Sequence, residues 1–128
     1  MTRRALAWLA TTALPVSGRT CPGALDVRGH GTVELTNAAW NVPGNAAGLG
    51  ELHGRSAVRA YMDARVYFAD ACTEGAYRSS DYTALKLLGK TLRYTTDVSG
   101  TGCGCNVAFY LVSMRQSDQV STCGDYYC

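Results

Sequence analysis

Apolar and polar residues alternate along the middle of the chain. From Val58 to Phe68, apolar side chains occupy every second position, and charged residues or tyrosines stand between them. The alanines of this segment favour a helix. A period of two sustained over the whole segment nevertheless predicts a half-buried β-strand, with a break near Asp63.

Two further segments predict a β-hairpin. Lys90–Val98 alternates again, and Ser99–Gly102 has the composition of a turn. Asn106–Met114 is apolar at almost every position, which is typical of a strand that is covered on both faces. Two consecutive strands joined by a tight turn form a hairpin. The predicted fold class is therefore all-β, an antiparallel β-sandwich or jelly roll.

The rest of the chain is richer in residues that break regular structure. "GTVELT" (Gly31–Thr36) is one plausible strand there. Asn41–Gly50 and Thr73–Tyr82 are rich in turn-forming residues, so we expect both to be loops.

The N-terminus has the layout of a secretory signal peptide. Arg3 and Arg4 precede the apolar stretch Ala5–Leu14, which is too short to span a membrane. Pro15 ends that stretch, and the small residues that follow suit cleavage. We therefore expect a signal peptide over residues 1–18, a domain over residues 19–128, and secretion. The alternative is a buried helix whose basic start is incidental.

Charge and composition exclude some classes of protein. Twelve basic residues stand against ten acidic ones, for a formal charge of +2, and no basic cluster lies beyond the N-terminus. This balance argues against a nucleic-acid partner. We also expect no membrane partner, no cofactor and a monomer.

The six cysteines all follow the predicted signal peptide. An even number behind such a segment predicts disulfides, for which fifteen connectivities exist. On an extended strand Cys103 and Cys105 would share one face, so each is expected to reach a different partner. A metal site is disfavoured, because His30 and His53 have no ligand-like spacing to the cysteines. The disulfide candidates are Cys21, Cys72, Cys103, Cys105, Cys123 and Cys128.

Asn106 and Tyr110 form a polar exception on the apolar strand Asn106–Met114. They share one strand face and lie roughly 13 Å apart at the usual rise. An amide and a phenol on an apolar face suit a sugar-binding groove. The residues alone favour the alternative, in which Asn106 caps the turn and Tyr110 belongs to the core.

A longer run resembles glycoside hydrolase family 7, the cellobiohydrolases and endoglucanases that act on cellulose. "LLGKTLRYTTDVSGTGCGCNVAFYLVSM" (Leu87–Met114) is similar, without a gap, to the family pattern LLG-x-x-F-x-F-x-V-D-V-S-x-x-x-C-G-L-N-G-A-L-Y-F-V-S-M. "ARVYF" (Ala64–Phe68) and "YYC" (Tyr126–Cys128) are similar to two other family segments, A-R-L-Y-L and G-Y-C-D. The resemblance covers about half of the chain, Ala64–Cys128. It implies a concanavalin-like jelly roll with a cellulose-binding cleft on its concave face.

The resemblance also implies substrate-binding residues. The family residues that line the cleft correspond to Arg65, Asn106, Tyr110 and Tyr127, which places Asn106 and Tyr110 on the substrate side. The implied substrate is cellulose or a related β-1,4-glucan.

Several departures from the family bear on chemistry. Cys105 replaces a leucine, and the family's partners for Cys103 and Cys128 would lie beyond the last residue. Retaining glycosidases need two carboxyl groups about 5 Å apart. The family's E-x-D-x-x-E strand is absent from the sequence, so we assign no catalytic residue.

Three hypotheses remain open at the level of sequence. The chain is the N-terminal fragment of a secreted cellulase-like hydrolase, or a non-catalytic carbohydrate-binding β-sandwich module, or a disulfide-stabilised structural protein. An incomplete jelly roll would leave long apolar strands without partners, which is an aggregation hazard.

Overall fold

The computed structural model describes residues 20–38, 48–115 and 117–127. The predicted signal peptide over residues 1–18, most of the predicted loop Asn41–Gly50 and the disulfide candidate Cys128 lie outside these ranges. Five strands and one short 3-10 helix form the regular structure of the described residues. These are β1 (Gly23–Val27), β2 (Gly31–Asn37), β3 (Gly50–His53), β4 (Ala57–Ala60), β5 (Val66–Ala69) and the 3-10 helix Ser79–Asp81.

All strand pairs are antiparallel, which confirms the all-β fold class. One sheet has the order β1-β2-β5, and a second sheet pairs β3 with β4. The β1–β2 hairpin turns at Arg28–His30, where Gly29 adopts a φ of 80°. Glycine reaches this left-handed conformation without a steric penalty. The predicted strand Gly31–Thr36 is confirmed as β2.

The two faces of the larger sheet carry separate apolar clusters. On one face, Leu25, Val33 and Leu35 are buried, and Val66 and Phe68 of β5 pack against them. The other face carries Tyr67, Tyr82 and Met114. Neighbouring residues of β5 point to opposite faces, as in any strand. Both faces are covered, so this sheet lies at the centre of the described residues.

The predicted strand Val58–Phe68 forms two shorter strands. The chain leaves regular pairing after Ala60 and resumes it at Val66, and Asp63 between them has a φ of 60°. The break near Asp63 is therefore confirmed. The predicted single apolar face is wrong, because Val58 and Met62 are exposed and Tyr67 of the opposite parity is buried. Alternation identifies two faces but not which of them finds a packing partner.

The predicted hairpin forms only its turn. Thr101 donates its backbone N–H to the Val98 carbonyl at 3.0 Å, and its hydroxyl donates to the same oxygen at 2.7 Å. Neither Lys90–Val98 nor Asn106–Met114 joins a described sheet, so the prediction of two paired strands is wrong for the described residues. The segment Val107–Val112 is largely exposed rather than buried on both faces. Burial needs a second surface, and in the described residues Met114 finds one against Tyr67 and Tyr82, whereas Phe109 keeps 40% of its surface exposed beside Phe68.

A buried asparagine joins the two sheets. The Asn37 side chain donates to the Gly50 carbonyl at 3.2 Å and accepts the Gly50 N–H at 2.7 Å. Its amide nitrogen also donates to the Thr20 hydroxyl at 2.9 Å. A side-chain carbon at Gly50 would overlap Val66, so glycine is required for β3 to approach β5 this closely.

Candidate functional site

Three of the four predicted substrate-binding residues meet on one surface. The guanidinium carbon of Arg65 lies 4.8 Å from the centre of the Tyr127 ring. The Tyr127 hydroxyl donates to the Tyr110 hydroxyl at 3.1 Å, and the two ring centres are 6.4 Å apart. We call Arg65, Tyr110 and Tyr127 the tyrosine platform. It joins chain segments that are far apart in sequence.

A buried carboxylate, that of Asp125, holds Tyr127 of the platform in position. Asp125 is 3% exposed, and its Oδ2 accepts a hydrogen bond from the Tyr67 hydroxyl at 2.9 Å. Its Oδ1 accepts the Tyr127 N–H at 3.3 Å, and its backbone carbonyl accepts the Tyr82 hydroxyl at 2.5 Å. Buried carboxylates need such partners, because desolvation of an unpaired charge is costly. These contacts hold residues 125–127 against β5.

The backbone conformation of Tyr126 directs the Tyr127 side chain toward Arg65 and Tyr110. Tyr126 has a φ of 62°, and its N–H donates to the Cys123 carbonyl at 2.9 Å. A tyrosine in the left-handed region is uncommon and persists where surrounding contacts enforce it. Here the Asp125 hydrogen bonds on one side and the Arg65–Tyr127 contact on the other provide that enforcement.

The titration of the platform and its support follows from these contacts. Burial raises the pKa of the Tyr67 hydroxyl; the Arg65 guanidinium opposes this, and Asp125 adds to it. For Arg65, partial burial lowers the pKa, but the hydrogen bond to Tyr67 helps to outweigh it, so the net pKa is raised. The hydrogen bond that Tyr127 donates to Tyr110 raises the pKa of Tyr127. Both shifts keep the proton in place at ordinary pH, so Arg65 is a cation and Tyr127 a neutral phenol.

The platform is open to solvent and borders a shallow depression. Tyr110 is 54% exposed. The depression has a volume of about 260 Å³, and its lining includes Ser113, Ser117, Gln119 and Tyr127. Hydroxyl and amide groups beside aromatic rings are suited to a ligand that carries many hydroxyl groups.

Asn106 is not part of this arrangement. It is exposed, at the start of the segment that carries Tyr110, and among the described residues its side chain forms no hydrogen bond with the platform. Conversely, the sequence did not single out Tyr67, Tyr82 or Asp125 as supports. Tyr67 adjoins Arg65 in "ARVYF", and Asp125 adjoins the tyrosine pair, but sequence proximity alone does not indicate a hydrogen bond between them.

The cysteines fall into distinct states. Cys21 and Cys72 form a disulfide with Cα atoms 5.8 Å apart, and Thr36 donates its hydroxyl to the Cys72 sulfur at 3.1 Å. Cys123 is also disulfide-bonded. Cys103 and Cys105 are exposed free thiols.

The described residues contain neither a metal centre nor a helix that could span a membrane. Among residues 20–38, 48–115 and 117–127, no group of His, Cys, Asp or Glu is arranged to hold a metal ion. No helix within the described ranges is long and apolar enough to cross a membrane.

The described residues thus combine an antiparallel all-β fold with an exposed platform of two tyrosines and an arginine. The model of the family "Glycosyl hydrolase family 7" matches residues 38–125, more than half of the chain, and the chain therefore belongs to this family of cellulase-type glycoside hydrolases. The family resemblance read from the sequence is thus confirmed. Comparison with curated proteins and with solved structures gave no match.

Proposed function

We propose that this chain provides the glucan-binding part of a secreted cellulase-type hydrolase. The observation that carries the proposal is the convergence of Arg65, Tyr110 and Tyr127 on one exposed surface. Membership of glycosyl hydrolase family 7 supports a β-1,4-glucan as the ligand. The Cys21–Cys72 disulfide is consistent with secretion, since disulfides form in oxidising compartments.

The platform has the chemistry that a glucan requires. The faces of the Tyr110 and Tyr127 rings offer apolar area to the C–H faces of glucose units, and their hydroxyls offer hydrogen bonds. Arg65 adds N–H donors in a rigid fork and is held in place by the Tyr127 ring. No part of this binding needs a metal ion or an organic cofactor.

The platform binds the sugar but does not cleave it. Cleavage with retention needs a nucleophilic carboxylate and a second carboxyl group as acid and base. Asp125 is the carboxylate beneath the platform, and both its oxygens accept hydrogen bonds from the protein. Its role is therefore to hold Tyr67 and Tyr127. The double displacement typical of the family would need carboxyl groups other than this one.

The same observation favours a second candidate function, a carbohydrate-binding module without catalysis. Neither function predicts turnover by the residues of this chain, because the family's E-x-D-x-x-E strand is absent from them. Sequencing the transcript across and beyond the codon for Cys128 separates the two. A reading frame that continues into such a strand would support the hydrolase, and a stop codon directly after Cys128 would support the module.

A tyrosine substitution tests the platform. We expect Tyr127→Ala to weaken cellohexaose binding about tenfold, equivalent to about 1.4 kcal/mol, because it removes the ring that Arg65 and Tyr110 both contact. Isothermal titration calorimetry measures the loss. Tyr61→Ala is the matched control, since Tyr61 is 44% exposed and contacts Glu51 in the other sheet.

Two outcomes would contradict the proposal. One is the absence of cellohexaose binding by the folded wild-type chain. The other is equal weakening by Tyr127→Ala and Tyr61→Ala, which would show that binding does not use the platform. Tyr110→Ala provides an independent variant at a more exposed position, in case Tyr127→Ala reduces folding.

A further inference from the structure

The two tyrosines of the platform meet at their hydroxyl ends. The Tyr127 hydroxyl donates to the Tyr110 hydroxyl at 3.1 Å, and the two residues stand 17 positions apart in the sequence. Their ring centres lie 6.4 Å apart, with the ring planes inclined at 47°. This contact places two phenols from distant segments next to each other.

A pair of adjacent phenols has a characteristic oxidation chemistry. A one-electron oxidant converts a phenol into a neutral radical, which is stable enough to persist because it is delocalised over the oxygen and the ring. Two such radicals combine at the ring carbons next to the oxygens and give dityrosine, in which the two hydroxyls are neighbours. The hydroxyl-to-hydroxyl contact of Tyr110 and Tyr127 already brings these ends of the rings together.

The two rings differ in how firmly they are held. Tyr110 is 54% exposed, so an oxidant reaches its ring and water accepts its proton. Tyr127 is the better fixed ring, because Arg65 lies over it and Asp125 accepts its backbone N–H. A carbon–carbon bond needs the ring centres to come closer than 6.4 Å. The exposed Tyr110 can make this approach, since exposed side chains change rotamer within picoseconds to nanoseconds.

We propose that Tyr110 and Tyr127 form an oxidative crosslinking site, which a haem peroxidase with hydrogen peroxide converts into an intramolecular dityrosine. In the first step, Tyr110 gives one electron to the oxidised peroxidase and its phenol proton to water. The Tyr110 radical then takes a hydrogen atom from the Tyr127 hydroxyl along their hydrogen bond, which restores Tyr110 and leaves the radical on Tyr127. A second oxidation of Tyr110 completes the radical pair.

The radical pair closes into a covalent bond between one carbon of each ring. The hydrogens on these two carbons leave as protons and both oxygens are protonated again, so the product keeps two phenol hydroxyls. In total the protein loses two electrons and two protons, and one hydrogen peroxide is reduced to two water molecules. The new bond joins the segment of Tyr110, which pairs with no strand in the described residues, to residues 125–127 on β5.

Neighbouring tyrosines are placed differently. Tyr67 and Tyr82 have ring centres 5.4 Å apart, but both are buried and both hydroxyls donate to Asp125. Tyr61 and Tyr94 are exposed, but the Tyr61 hydroxyl donates to a carboxylate and the Tyr94 ring packs against a phenylalanine. Coupling within one molecule is therefore expected at the platform. It depends on this geometry and not on glucan binding.

Peptide mapping of the oxidised full chain tests the proposal. The chain is treated with a haem peroxidase and small portions of hydrogen peroxide, and the monomer is isolated by size-exclusion chromatography. Its disulfides are reduced and alkylated, so a remaining link between peptides is not a disulfide. Trypsin separates the two tyrosines, because Arg115 lies between them. We expect dityrosine fluorescence in the monomer and a linked peptide pair two hydrogens lighter than its parts, with the bond assigned to Tyr110 and Tyr127 by fragmentation.

Phenylalanine variants test each residue of the site. Phenylalanine keeps the ring but has no hydroxyl, so it forms no phenoxyl radical. Because a preorganised pair reacts at a high effective concentration, we expect Tyr110→Phe and Tyr127→Phe each to lower the dityrosine yield of the monomer about tenfold. Tyr94→Phe removes a similarly exposed hydroxyl and should leave the yield unchanged. Circular dichroism shows whether each variant is folded.

Three results would overturn the proposal. The first is a wild-type monomer without dityrosine under conditions in which the same peroxidase couples free N-acetyltyrosine. The second is dityrosine confined to a dimer, which would mean that the phenols meet only between copies of the chain. The third is a bond assigned to another pair, such as Tyr67 and Tyr82, or an unchanged yield in folded Tyr127→Phe.

Discussion

At the scale of single residues, Asp125 determines how the platform is held. It is buried, yet it accepts hydrogen bonds from Tyr67 and from the Tyr127 backbone. Tyr67 in turn has its ring 5.4 Å from that of Tyr82 in an edge-to-face arrangement. Aromatic pairs of this geometry contribute about 0.5–1.5 kcal/mol beyond the area that they bury. One carboxylate thus connects the core of the sheet to an exposed surface.

The raised pKa of Tyr67 gives a pH-dependent test at this scale. In the unfolded chain its hydroxyl loses a proton near a pH of about 10, whereas in the folded protein it keeps the proton to higher pH. Above that pH the unfolded state binds fewer protons than the folded state, so the free energy of unfolding falls as pH rises. Below a pH of about 10, Tyr67 makes its full contribution to the free energy of unfolding.

We expect Tyr67→Phe to lower the free energy of unfolding by about 1–3 kcal/mol at pH 7, because Asp125 loses a buried donor. The difference between the variant and the wild type should narrow as pH rises above about 10. Urea unfolding followed by circular dichroism measures both effects. Tyr94→Phe, at a 57% exposed position, is the control. If the difference in the free energy of unfolding between variant and wild type stays constant above a pH of about 10, the raised pKa of Tyr67 does not contribute to stability.

At the scale of elements, the two sheets are joined by individual hydrogen bonds, because no strand of one sheet pairs with a strand of the other in the described residues. Asn37, at the end of β2, contacts both the N–H and the carbonyl of Gly50, at the start of β3. Asp26 of β1 donates its backbone N–H to the Arg55 carbonyl, and its carboxylate pairs with the Arg55 guanidinium at 2.9 Å. The Asp26–Arg55 ion pair is solvent-exposed, and such pairs contribute little. Asn37 is therefore the more important connection.

Replacement of this asparagine should separate the sheets. We expect Asn37→Ala to lower the free energy of unfolding by about 1–3 kcal/mol, because the Gly50 N–H loses its buried acceptor. Chemical denaturation measures the loss, and hydrogen exchange at Gly50 should become faster in the variant. Asn106→Ala removes the same side chain at an exposed position and should change stability by less than about 0.5 kcal/mol. Equal effects of the two substitutions would contradict this role for Asn37.

At the scale of the whole molecule, the segment from Leu88 to Val112 exposes an unusual amount of apolar surface. Leu88 is fully exposed, and Val107 and Leu111 are 53% and 58% exposed. In a two-sheet sandwich the inner strands have apolar side chains that pack between the sheets. Within the described residues, Phe109 meets Phe68 and Tyr94, but the segment pairs with no strand. An exposed apolar segment with unpaired backbone favours association between copies.

Lysines on this segment should therefore reduce self-association. We expect Val107→Lys combined with Leu111→Lys to increase the monomer fraction several-fold, because charges on an edge strand prevent pairing with another chain. Analytical ultracentrifugation measures the fraction. Val58→Lys combined with Val120→Lys adds the same charge at two exposed valines outside this segment. If both double variants act equally, net charge rather than the apolar segment controls association.

The local features of this protein followed from its sequence alone. Antiparallel β-structure, the strand at Gly31–Thr36 and the turn predicted at Ser99–Gly102 rest on patterns of a few neighbouring residues, and the family membership rests on the longer run Leu87–Met114. Strand alternation and turn chemistry act over such short distances. These features can therefore be predicted from the sequence without knowledge of tertiary contacts.

Tertiary structure decided which of these patterns became buried, paired or joined. The short strands β1 and β3 lie in a segment rich in turn residues, and they form because β2 and β4 pair with them. Tyr67 is buried because Asp125, 58 residues away, accepts its hydroxyl, and Tyr110 meets Tyr127 across 17 residues. A periodic pattern specifies the two faces of a strand. Burial depends on whether a distant part of the chain supplies the opposing surface, and that information exists only in the folded molecule.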